Sequence, residues 1–165
     1  MKKLVLYPTT VSQWHALVNE AQQSCQLELG EDLESYLVFL LMRFSEKPEF
    51  IKSVFALEFL DSINQSGRQQ HYKLQTLGDK CLLFAGLFPE QAARKRVTYN
   101  YFIDLGQNAY YMLANLSEIE LASLFNALCE SFTHVRDVLG AMRNQNLQQI
   151  FAPEVISLIE KNSIH

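Results

Sequence analysis

At 165 residues the chain has the length of one domain, long enough to bury a substantial core without disulfide or metal staples. Its 48% apolar composition is ordinary for a globular protein and argues against both disorder and a membrane-embedded chain. A net charge of −4 argues against a general nucleic-acid binder, which carries a positive footprint.

The opening "MKKLVLYPTT" has only Leu4 to Tyr7 as an apolar run before Pro8, too short for the core of a signal peptide. Residues 1–9 are expected to form an extended arm. Thr10 and Gln13 then have capping-box spacing, and Val11, Trp14, Leu17, Val18 and Ala21 repeat at three and four, predicting an amphipathic helix to about Cys25. Gly30 interrupts, and Glu31 and Asp32 place negative charge where the next helix dipole favours it. That helix should bury Leu33, Leu37, Leu40, Leu41 and Phe44. Val38, Phe39 and Met42 on its other side predict cover from two directions. Its run Tyr36 to Met42 is too short to span a bilayer.

Pro48 suits the first turn of a third helix, whose apolar residues from Phe50 to Ile63 leave little polar face and predict a central position. Asn64 to Gln69 reads as a loop, followed by a short helix over His71 to Leu77. Gly78 is then expected to end that helix in a left-handed conformation, with Asp79 capping the next one over Lys80 to Leu87. Pro89 should start another helix, with stripes through Phe102, Leu105, Ala109 and Met112, and through Tyr99, Ile103, Gly106, Tyr110 and Leu113. Ser117 and Glu120 form a second capping box ahead of a long helix running from Leu121 to about Arg143. Residues 144–165 are expected to hold a loop and a short helix opened by Pro153. The reading is an all-α, single-domain bundle of about seven helices over residues 1–165.

Gly106 lies mid-helix, where glycine costs about 1 kcal/mol relative to alanine. Close approach of a neighbouring helix or an aromatic ring is the expected compensation, and a ligand against bare backbone is the alternative. The blocks "LGDKCLLFAGLFPE", "YNYF" and "LGQNAYYMLA", preceded by "LESYLVFLLMRF", resemble a family of bacterial helical proteins to which no activity is assigned. The blocks cover about half the chain, and their motif residues here are Gly78, Asp79, Gly86, Phe88, Tyr101, Gly106 and Tyr110. The resemblance implies a shared all-α fold and brings no catalytic residue or cofactor with it.

Candidate chemistry is sparse. Glu130 and His134 lie four apart, so on one helix they share a face and could grip a metal, with Glu34 and Glu58 completing a carboxylate set. A metal-dependent oxidoreductase built on them is one reading. A di-iron bundle, however, wants Glu-x-x-His at three apart and twice over, so helix-edge positions facing water are favoured and no metal or other cofactor is expected. His15, His71 and His165 belong to no nucleophile signature, and the glycines are too widely spaced for a phosphate loop. Arg94, Lys95 and Arg96 form a solvated face, a partner for Asp79 or Asp104, or an anion patch. A pocket for a small apolar ligand between helices would be lined by Phe84, Phe88, Tyr101, Tyr110 and the glycines.

Tyr99, Tyr101, Tyr110 and Tyr111 crowd one helix and point in several directions, which places at least one at the surface. Cys25, Cys81 and Cys129 are odd in number, widely separated and set in apolar patterns, which predicts free thiols in a reducing compartment. The sequence therefore reads first as a cytoplasmic, non-catalytic interaction or regulatory module, self-associating or bound to a protein partner, with no nucleic acid and no membrane. Gly78, Asp79, Gly86, Phe88, Arg94, Arg96, Tyr101, Gly106 and Tyr110 are its candidate ligand or interface residues.

Overall fold

The computed structural model describes residues 10–47, 64–89 and 99–145. Every regular element among them is a helix: α1 (Thr10–Ser24), α2 (Glu31–Glu46), α3 (Gly67–Leu87), α4 (Tyr99–Asn115), α5 (Ile119–Glu130) and α6 (Phe132–Asn144). The all-α expectation holds. The N-terminal arm, the third helix expected from Pro48, the early part of the helix expected from Pro89 with Arg94 to Arg96, and the C-terminal helix expected from Pro153 lie outside the described residues.

Helix α1 ends through backbone turns. The Leu27 N–H donates to the Gln22 carbonyl at 3.0 Å, and Gln26 between them takes φ 58°. The buried Gln22 side chain accepts the Leu29 N–H at 2.9 Å, which fixes the connection to α2. Gly30 at φ 89° makes the turn that a side chain would strain. Glu31 and Asp32 then occupy the first turn of α2 as expected, and Glu34 joins them there. The second side of α2 is only partly covered: Val38 is fully buried, whereas Phe39 is 57% exposed.

Helix α3 corrects the sequence reading. It is continuous through Gly78 and Asp79, where a break was expected, and it starts at Gly67, inside the expected loop. Gly78 is not among the positive-φ residues, and Asp79 caps nothing. The local signature of Gly-Asp matches a stop followed by a start, but every residue from Leu77 to Leu87 is buried. Packing on all sides holds the helix together across two poor helix formers. The second half of α3 is the centre of the described fold, packed chiefly against α4 and α6.

The long helix expected from Leu121 to Arg143 is two helices, bent at Ser131 (φ −100°, ψ 16°). Gln107 of α4 donates to the Cys129 carbonyl at 3.1 Å beside this bend, and Phe132 follows it into the core against Gly106. The capping box expected at Ser117 and Glu120 does not form, and Glu118 holds the N-cap position of α5. The Ser117 hydroxyl turns back to the Leu113 carbonyl at 2.6 Å, closing α4 instead of opening α5. None of the described helices is long and apolar enough to cross a membrane.

Candidate functional site

Three helices converge on one carboxylate. Asp79 sits in the fully buried half of α3 with no solvent exposure. Its Oδ1 accepts the Tyr36 hydroxyl of α2 at 2.7 Å and the Tyr110 hydroxyl of α4 at 2.6 Å. Its Oδ2 accepts from Nη2 of Arg43, two turns further along α2 than Tyr36. Gln75, one turn earlier on α3, donates to the Tyr36 hydroxyl at 3.1 Å. Tyr36 and Arg43 are seven positions apart, which puts both on one stripe of α2 and aims them at the same point. The Tyr36 ring stands edge-on to both Tyr110 and Phe125, so the hydroxyl is held by its ring as well as by its hydrogen bonds.

Burial drives the Asp79 carboxyl above its ordinary range, while the Arg43 guanidinium and the two phenols oppose that rise. Burial and the neighbouring carboxylate push both phenols well above theirs, so Tyr36 and Tyr110 remain protonated donors. Arg43 is pulled down by partial burial, but the Asp79 charge outweighs this and raises it, keeping it cationic. Three donors on two oxygens match an ionised acceptor. The chemistry of this carboxylate is therefore spent inside the fold, where it ties α2 to α3 and α4.

The glycines answer to close packing. A Cβ on Gly78 would lie 2.6 Å from the Tyr110 ring, one on Gly86 2.5 Å from Leu139, and one on Gly106 2.5 Å from the Phe132 ring. Gly78 admits the tyrosine that Asp79 then holds, so two adjacent motif residues act on one partner. Phe88 stacks on Phe84 at 5.9 Å and meets Phe44 edge-on, and half-buried Tyr101 packs edge-on against Phe102. The space expected for an apolar ligand beside Gly78 and Gly106 is filled by these side chains. Gly86, the third glycine of the expected pocket, lies on the wall of an open cleft of about 680 Å³ between the ends of α1, α3 and α6, together with Cys25, Pro89 and the Arg136–Asp137 pair.

Of the sequence candidates, Gly78, Asp79 and Tyr110 come together; Gly86, Phe88, Tyr101 and Gly106 serve separate contacts; Arg94 and Arg96 lie outside the described residues. The described cation on Asp79 is Arg43, where the sequence had offered Arg94 to Arg96. Glu130 and His134 are both exposed and stand on opposite sides of the Ser131 bend, not on one unbroken helix. Among the described residues no three His, Cys, Asp or Glu side chains gather closely enough to hold a metal. Tyr36, Arg43 and Gln75 were missed. The available signal was an arginine closing an otherwise apolar run, seven positions after a tyrosine. No family model matches this chain, and neither a curated protein nor a solved structure does.

Proposed function

We propose that this chain is a non-catalytic, cytoplasmic interaction module that regulates or assists another protein by docking a second chain. One observation carries the reading. Of the six large apolar side chains exposed among the described residues, Tyr111 (55%), Leu116 (45%), Ile119 (89%) and Leu121 (49%) fall at the corner where α4 turns into α5. Concentrated exposed apolar surface marks docking sites more often than scattered single residues do. The internal satisfaction of Asp79 supports a structural role for the most unusual charged group in the fold. Free thiols at Cys25, Cys81 and Cys129 support a reducing compartment.

The test is sedimentation velocity over a wide concentration range, paired with capture by immobilised protein, for the wild type and for Ile119→Ser with Leu121→Ser. Association with its own copy or with a partner, lost in the variant, is the expected result. A chain that remains monomeric and retains no protein refutes the proposal.

A further inference from the structure

The segment that carries this corner is charged in one sense only. Between Arg96 and Arg136 there is no lysine or arginine, while Asp104, Glu118, Glu120 and Glu130 supply four carboxylates. All four are exposed. Glu118 and Glu120 alternate with Leu116, Ile119 and Leu121, so acid and apolar side chains share the same turn. Glu118 at the N-cap makes no side-chain capping bond, and Glu120 lies in the first turn of α5. An apolar surface rimmed by one charge selects its partner by the opposite charge.

Resting on the interaction-module reading, we propose that the α4–α5 corner docks an amphipathic helix whose apolar face is flanked by lysine or arginine. The apolar residues of that helix cover Leu116, Ile119 and Leu121, and its basic flanks pair with Glu118 and Glu120. Such a helix-on-corner contact is read as apolar anchors at three- and four-residue spacing. A second copy docked corner to corner brings its own Glu118 and Glu120 to the opposite side. Like charges then meet, and a different partner is favoured over self-association.

The probe is a labelled helical peptide with leucine on one face and lysine on the other, followed by fluorescence anisotropy. A matched peptide with glutamate in place of lysine is the comparison. Expected is binding of the lysine peptide only, weakened by about tenfold or more in Ile119→Ser with Leu121→Ser. Glu118→Gln with Glu120→Gln should also weaken it and flatten its dependence on salt between about 50 and about 500 mM. Both pairs lie on exposed positions, and unchanged circular dichroism confirms that the fold is intact.

Equal binding of the two peptides, or lysine-peptide binding indifferent to both variant pairs, overturns the proposal. Self-association abolished by Ile119→Ser with Leu121→Ser, with no peptide binding, overturns the basic partner and leaves the interaction-module reading standing. Absence of both peptide binding and any association removes the two together.

Discussion

Replacing Arg43 by methionine keeps most of the side-chain stem and removes the charge opposite a carboxylate that has no exposure to water. Arg43 itself is 46% exposed, so the pair is neither a surface bridge nor a fully buried one. The relevant magnitude is that of a hydrogen bond to a charged group, about 1.5–3 kcal/mol. At about 2–4 °C per kcal/mol for a chain of this size, the melting temperature should fall by roughly 3–12 °C near neutral pH. The penalty should depend on pH in a definite direction. Asp79 binds its proton more tightly in the native state than in the unfolded chain, so its contribution is fully present at low pH. That contribution is lost as pH rises from the unfolded carboxyl range through the raised native one. Arg43 limits this loss in the wild type. Its removal raises the native value further, and the penalty therefore grows with pH and shrinks as Asp79 becomes protonated. Urea unfolding at about pH 5 and about pH 8 measures this, with the same substitution repeated in an Asp79→Asn background. The pH dependence should vanish there. A penalty that is constant with pH, or larger in acid, refutes the account of the cluster.

Two further substitutions examine the packing. Gly106→Ala places a Cβ 2.5 Å from the Phe132 ring and 2.9 Å from the Cβ of Cys81. Overpacking of about 1–3 kcal/mol should outweigh the roughly 1 kcal/mol gained in helix propensity, with partial rescue by Phe132→Leu in thermal melts. Gln26→Gly should act in the opposite direction. Gln26 is exposed at φ 58°, so glycine relieves the left-handed cost and should raise stability by about 0.5–1 kcal/mol in denaturant titration. A loss of stability at Gln26 would show that its side chain makes a contact worth more than the strain.

Helix type was legible because Trp14, Val18 and Ala21, or Leu37, Leu41 and Phe44, recur at the period of a helix and are buried where that period puts them. Compensation by close packing was legible at Gly106 for the same reason, since a bare backbone inside an apolar stripe implies a neighbour, whereas Gly78 read as a helix end. The identity of that neighbour was not legible: Tyr110, Leu139 and Phe132 lie between 26 and 53 positions from the glycines they cover. Local signals misled where tertiary contacts overrode them. Gly78 and Asp79 read as a helix boundary because a cap and a buried hydrogen-bond acceptor demand the same residue type. Only the arrival of Tyr36, Arg43 and Tyr110 from two other helices distinguishes them. The stripe from Leu121 to Met142 likewise carries no mark of the bend at Ser131.

The sequence by itself determined periodicity, composition and the one-signed charge between Arg96 and Arg136, because these are properties of neighbours along the chain. The tertiary structure alone decided which polar group is buried and what satisfies it. A carboxylate can leave water only where donors from distant parts of the chain meet it, and that meeting is set by how the helices pack.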